Sequence, residues 1–153
     1  MAFGVSWVLR QQLCLGPAPR NLDDLQTLKS EGVISVLSVC VESDFRPLPQ
    51  LADWFEWRWF PLPDHRSGRP PEPAELSSCL ELLAELMAKP PVYVHCLAGM
   101  ERSPLLVLVW LMQHRRLNLQ QALDYLQQVH PGTNPLPEQL AVLKHFSMPE
   151  LHG

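Results

Sequence analysis

A cysteine, an arginine and a serine stand close together in His95-Cys96-Leu97-Ala98-Gly99-Met100-Glu101-Arg102-Ser103-Pro104. The cysteine follows a short β-branched and aromatic run, Val92-Tyr93-Val94. Ser103-Pro104 reads as a helix start, with Ser103 at the cap and Pro104 at the first helical position, where a missing N–H costs nothing. The loop between strand and helix holds one glycine, and its backbone N–H groups can turn inward as an anion-binding nest. The positive end of the helix lies behind that nest. Arg102 brings a planar fork that matches two phosphate oxygens at once. A thiol in these surroundings is favoured as the thiolate. These residue types can therefore place a nucleophile inside a phosphate-shaped cradle. The plainer alternative is a buried structural Cys at a strand end. It does not account for the loop and helix start that follow.

The elements that must position this loop can be followed along the chain. Phe3 to Leu9 and Leu13 to Leu15 read as two short strands of a hairpin. Asn21 caps a helix with Leu22, Leu25 and Leu28 on one stripe and Gly32 just past its end. Val33 to Val39 has apolar residues on both faces, as a central parallel strand would. Residues 42 to 53 read as a loop with at most a helical turn. Phe55 to Phe60 is a strand with Glu56 and Arg58 alternating outward. Pro73 opens a helix carrying Leu76, Leu80, Leu83 and Met87, widened by Leu82 and Leu86, and Pro90-Pro91 stops it. The apolar run Leu105 to Met112, after its Ser-Pro opening, reads as a largely buried helix. Asn118 caps a further helix, and a last one spans about Pro137 to Phe146. The expected fold is α/β, a central, mostly parallel (mixed) sheet of four to five strands flanked by helices. In such sheets ligands bind outside the carboxyl ends of the strands, where Cys96 sits.

Bulk properties narrow the class. The 153 residues suit a single domain, 1–153, able to bury its own core. Apolar residues make up 46%, net charge is −4 and the pI is about 5.8. Global charge therefore argues against a nucleic-acid or membrane-surface partner. Met1 to Leu15 has no basic leader, and the longest apolar run is far short of the roughly 18 residues of a bilayer span. Cys14, Cys40, Cys79 and Cys96 show neither close pairing nor metal-ligand spacing, so a reducing cytoplasm is expected and no metal. The 16 prolines cluster between elements, marking loops.

His95-Cys96, five residues, then Arg102-Ser103, with Ala98-Gly99 inside, resembles the signature of the cysteine-dependent protein tyrosine phosphatase superfamily. The size resembles its small atypical dual-specificity type. Phe60-Pro61-Leu62-Pro63-Asp64 resembles that type's general-acid loop. Asp64 follows a strand, is fixed by Pro61 and Pro63, and opens a loop that Gly68 lets move. Asp44 and Asp53, the rival carboxylates, lie too far back in the preceding loop to be preferred. The resemblance covers most of Phe3 to Phe146, with sharp motifs at 60–64 and 95–104.

The resemblance implies Cys96 as nucleophile, Asp64 as acid and then base, and Arg102 and the amides of Leu97, Ala98, Gly99, Met100 and Glu101 as the phosphate cradle. Ser103 would hydrogen-bond the sulfur as it leaves. His95 would order the loop, pointing away from the nucleophile's face. A reversible bond between Cys40 and Cys96 and a water-placing role for Gln139 are also implied, although a buried apolar Cys40 and an exposed first-turn Gln139 are the plainer readings. Glu101 is unexpected beside a phosphate dianion, and two orientations stay open: into the pocket, or outward against Arg66 or Arg69. Those arginines and His65 form either a phosphate-greeting rim or a solvated loop face. Cys14, Cys79 and Trp54, Trp57 and Trp59 read as packing.

The implied activity is hydrolysis of phosphotyrosine, with phosphoserine and phosphothreonine, on a protein substrate by a monomer, without cofactor. The competing readings are a catalytically weak phosphate-binding module, or a phosphatase of RNA 5′ ends, phosphoinositides or phosphorylated glucan. A sulfur transferase or arsenate reductase would lack the Asp64 loop.

Overall fold

The computed structural model describes residues 3–146, so the ends of the expected 1–153 domain lie outside the described residues. Among these residues five strands form one sheet: β1 (Ser6–Leu9), β2 (Leu13–Gly16), β3 (Ser35–Ser38), β4 (Glu56–Trp59) and β5 (Val92–His95). Their spatial order is β1-β2-β5-β3-β4. Only β1 and β2 run antiparallel; the other pairings are parallel, as the apolar runs of β3 and β5 predict. Among the described residues six α-helices accompany the sheet: α1 (Leu22–Ser30), α2 (Pro49–Trp54), α3 (Pro73–Leu86), α4 (Arg102–His114), α5 (Leu119–Val129) and α6 (Pro137–Val142).

β5 is the middle strand, and both of its faces are buried. Val92 and Val94 point into a core shared with α3, α4 and α5, while Tyr93 points into a second core shared with α1 and α2. Alternation continues past the strand end: Cys96 joins the first core and His95 stacks on Tyr93 on the other side. α4 is buried at every residue from Arg102 to Met112, so the helix that supports the loop cannot slide without opening the core.

Several boundaries differ from the sequence reading, each for a local reason. α4 begins at Arg102, because the Leu105 N–H bonds the Glu101 carbonyl at 3.0 Å. Glu101 thus holds the cap position and Ser103 lies inside the first turn. Pro104 remains harmless there, since first-turn N–H groups have no intrahelical partner. The segment 42–53 is more ordered than a loop: a 3-10 turn spans Glu42–Asp44, and Pro49 starts α2, which buries Leu51. Leu22 of the first helical stripe is 48% exposed, and Leu25 and Leu28 alone carry that contact. Gly32 takes φ +87° past the end of α1, as expected of a helix-terminating residue. Cys14 and Cys79 are buried in the two cores.

Candidate active site

Cys96 lies one residue beyond the middle strand, at the carboxyl edge of the parallel strands. It is 2% exposed, and its Sγ is 3.3 Å from the Oγ of fully buried Ser103. The hydroxyl that a cap rule would assign to backbone is instead turned to the sulfur.

The loop from Cys96 to Glu101 is held by its carbonyls. His95 Nδ1 donates to the Cys96 carbonyl at 3.0 Å and the Ala18 N–H to that of Leu97 at 3.0 Å. His130 Nε2 donates to the Gly99 carbonyl at 2.6 Å and the Asn134 N–H to that of Met100 at 2.8 Å. The Leu105 N–H takes the Glu101 carbonyl. In a planar trans peptide the N–H points opposite to the C=O. Carbonyls drawn outward to these donors therefore turn the N–H groups of Leu97, Ala98, Met100, Glu101 and Arg102 toward the cradle. Gly99 closes the turn at φ +75°, and a Cβ there would lie 2.8 Å from the Gly16 carbonyl carbon.

Arg102 is 4% exposed. One guanidinium nitrogen donates to Asp44 at 3.3 Å, while Nε and Nη1 are buried with no partner among the described residues. A pocket of about 350 Å³ opens here, lined by Cys96, Leu97, Ala98, Met100, Glu101 and Arg102 together with Asp64, His65, Arg66, Asn134 and Leu136. Two buried, unpartnered donors on a residue that lines this pocket can receive the oxygens of an anion.

Asp64 reaches the same pocket, 3% exposed, with its Oδ2 4.0 Å from Arg102 Nη2. It caps the 3-10 turn His65–Ser67, accepting from the Arg66 N–H at 3.0 Å and from Ser67 Oγ at 3.2 Å. The Arg66 guanidinium donates to Oδ2 from Nε at 2.8 Å and from Nη2 at 2.7 Å, and also to Asp44. Burial alone would lift the Asp64 carboxyl, but the bonds from Arg66 and the charges of Arg102 and Arg66 hold it below the usual range.

His95 is wholly buried and keeps a single neutral tautomer. Trp57 Nε1 donates to Ser38 Oγ at 2.9 Å, Ser38 donates to His95 Nε2 at 2.6 Å, and Nδ1–H goes to the loop. Burial, with the Arg102 charge nearby, pushes the imidazole down to about 4. His95 thus bonds the loop from the face of the sheet opposite to Cys96.

These contacts bear on four further expectations. Asp44, passed over as too distant, is buried against Arg102 and Arg66; it leaves the edge of the sheet from β3, the strand beside β5. Glu101 faces neither arginine. Its carboxylate accepts from the His65 N–H and Nδ1 and from Gln139 Nε2, while Arg66 serves the two aspartates and Arg69 pairs with Glu75. Gln139 is 1% exposed rather than a solvated first-turn residue. Cys40 packs in the core opposite to that of Cys96, both thiols are free, and burial lifts the Cys40 thiol to about 12. His130 holds the Gly99 carbonyl from 31 positions away, a contact that no local pattern records. Among the described residues no group of three His, Cys, Asp or Glu side chains is arranged to hold a metal ion.

The architecture is shared with known phosphatases. PTPMT1, solved in complex with PI(5)P, superposes with a TM-score of 0.79 at 22% identity over 93% of each chain. A human tyrosine phosphatase-like serine/threonine/tyrosine-interacting protein gives a TM-score of 0.78 at 20% identity, over 93% of this chain and 94% of that one. The fold is therefore protein tyrosine phosphatase-like. The dual specificity phosphatase catalytic domain model matches residues 64–148, more than half of the chain, and the protein belongs to that family of cysteine-dependent hydrolases. A curated relative, MAP kinase phosphatase with leucine-rich repeats protein 3 of Dictyostelium discoideum, is 44% identical over 46 residues. That match covers 30% of this chain and 5% of the relative's length.

Proposed function

We propose that this domain hydrolyses phosphomonoesters on protein side chains, phosphotyrosine foremost and phosphoserine and phosphothreonine with it, through a phosphocysteine. The observation that carries the reading is the convergence of the Cys96 sulfur, the unpartnered Arg102 nitrogens and the Asp64 carboxylate on one pocket. The Cys96 thiolate forms the S–P bond as the P–O bond to the side chain breaks, and protonated Asp64 gives its proton to the departing oxygen. Water then attacks phosphorus and gives its proton to the Asp64 carboxylate. The S–P electron pair returns to sulfur, where the Ser103 hydroxyl stabilises it, and inorganic phosphate leaves. Arg102 and the loop amides hold the equatorial oxygens throughout.

Asp64 starts this cycle ionised in the empty site. A phosphate dianion seated on Arg102 faces it as a like charge and raises its proton affinity, which makes the acid available when substrate binds. Asp44 and Asp64, both beside Arg102, favour a substrate with a single phosphate, since they would oppose the further charges of a phosphoinositide or RNA end. The same reading has one domain over 1–153, acting as a monomer on a cytoplasmic phosphoprotein.

The test is hydrolysis of p-nitrophenyl phosphate without added metal, with vanadate as competitor. Vanadate-sensitive turnover that Cys96→Ser abolishes and Asp64→Asn cuts by about 100-fold is expected. Vanadate binding without turnover would instead establish a phosphate-binding module. Faster turnover of phosphoinositide than of phosphotyrosine peptide would overturn the protein substrate.

A further inference from the structure

Glu101 carries a carboxylate at the edge of a site built for an anion, and all of its bonds run to the protein. Oε1 accepts from the His65 N–H at 3.0 Å and from Gln139 Nε2 at 2.7 Å. Oε2 accepts from His65 Nδ1 at 2.7 Å. Gln139 in turn is buried, and its Oε1 accepts from the Leu136 N–H at 2.7 Å at the start of α6. A single side chain thus ties together the phosphate loop, the acid loop and the last helix.

Its placement gives that tie leverage. The residue after Glu101 is Arg102 and the residue before His65 is Asp64. The His65 N–H belongs to the same rigid peptide plane as the Asp64 α-carbon, so fixing one fixes the other. The opposite end of the acid loop is fixed separately, by Arg66 and Ser67 on the Asp64 carboxylate. Without Glu101 the Asp64 side chain would keep its local turn, but the turn itself would lose its bond to the loop that carries the sulfur.

We propose that Glu101 is a positioning residue, whose carboxylate straps the acid loop to the phosphate loop and sets the reach of Asp64 to the leaving oxygen. This rests on the reading of Asp64 as general acid. It differs from a phosphate-binding role, which a carboxylate filled by three donors cannot perform, and from a charge that repels substrate. The strap explains why a carboxylate is tolerated beside the cradle: its charge is spent on donors that face it from the acid loop and α6.

A positioning role has a kinetic signature. An aryl phosphate with a basic leaving group needs the acid; one whose phenolate leaves unaided does not. We would measure kcat/KM for phenyl phosphate and for 2,4-dinitrophenyl phosphate, with vanadate inhibition alongside, in wild type, Asp64→Asn, Glu101→Ala, Glu101→Gln and His65→Ala. Asp64→Asn should lose on the order of 100-fold more on phenyl phosphate than on the dinitrophenyl ester. Glu101→Ala should lose about tenfold more on phenyl phosphate, retain vanadate inhibition, and be partly rescued by Glu101→Gln, whose carbonyl still accepts from the His65 N–H. His65→Ala, which keeps that N–H, should show the same asymmetry at smaller size and carries the test if Glu101→Ala does not fold.

Equal losses on both esters with weakened vanadate inhibition would overturn the strap, since Glu101 would then act on the phosphate loop. No loss at all would overturn it equally. If Asp64→Asn showed no leaving-group dependence, the acid assignment itself would fall, a result separable from failure of Glu101→Ala alone.

Discussion

The Arg66 guanidinium sits 2.7 Å from Asp64 Oδ2 and also reaches Asp44, so one exposed arginine bridges two buried carboxylates. Both of those carboxylates also approach Arg102, at 3.3 Å and 4.0 Å. Arg66 and Arg102 thus share the same pair of anions, and Arg66 offsets charge that would otherwise fall on Arg102 alone.

Removing Arg66 should change the pH at which the acid works. Arg66 is the main group holding the Asp64 carboxyl below its usual range. A folded carboxyl freed from a cation is protonated up to a higher pH. The basic limb of the kcat profile for phenyl phosphate should therefore move to higher pH in Arg66→Gln. An unmoved limb would mean that Arg66 does not set the proton affinity of the acid in the substrate complex.

Burial of neutral His95 should make stability fall in mild acid. The unfolded imidazole takes a proton near pH 6.5, whereas in the fold it does so only near 4. The lowered folded value means that stability is full above about 6.5 and is lost as pH falls toward 4. Below 6.5 the unfolded chain binds the extra proton. The whole effect is about 3 kcal/mol, and about 2 kcal/mol of it should appear between pH 6.5 and 5. Urea unfolding at pH 7.5, 6 and 5 would show it, and a His95→Gln variant should have a flatter dependence over that window. Equal slopes in the two proteins would mean that another group provides the acid sensitivity.

Gly99 should accept no side chain. Its φ of +75° costs an L-residue about 1–2 kcal/mol, and the added Cβ meets backbone, Gly16 at 2.8 and 2.9 Å and Pro17 N at 3.1 Å. Backbone cannot step aside as a flexible side-chain end would, so the loop must move instead. Gly99→Ala should lower kcat/KM by at least about 100-fold and weaken vanadate inhibition in parallel, with destabilisation in the ordinary range of about 1–3 kcal/mol. A normal vanadate constant in a folded Gly99→Ala protein would show that the cradle does not depend on this close approach.

What the sequence disclosed follows from how local each feature is. Cys96 to Arg102 is one short loop between a strand and a helix, so its chemistry could be read from adjacent residues, as could Asp64 at the end of its own strand. Asp44 joins the site across 58 positions to Arg102, through strand order that no local pattern records. Ser103 was read both as a helix cap and as a partner of the sulfur; Glu101 takes the cap position, and the Ser103 hydroxyl lies 3.3 Å from the sulfur. Gln139 follows Pro137 and Glu138 and so resembles an exposed first turn. It is buried because Glu101 lies opposite and needs its donor.

The carbonyl anchors of the phosphate loop are drawn from distant parts of the chain, the Ala18 N–H at one extreme and His130 and the Asn134 N–H at the other. During synthesis the nucleophile strand emerges well before those last two donors exist. A nascent chain ending near α4 would carry Cys96 and Arg102 yet lack the hold on Gly99 and Met100. Anion binding by a ribosome-bound chain therefore waits until the turn beyond α5 has left the exit tunnel.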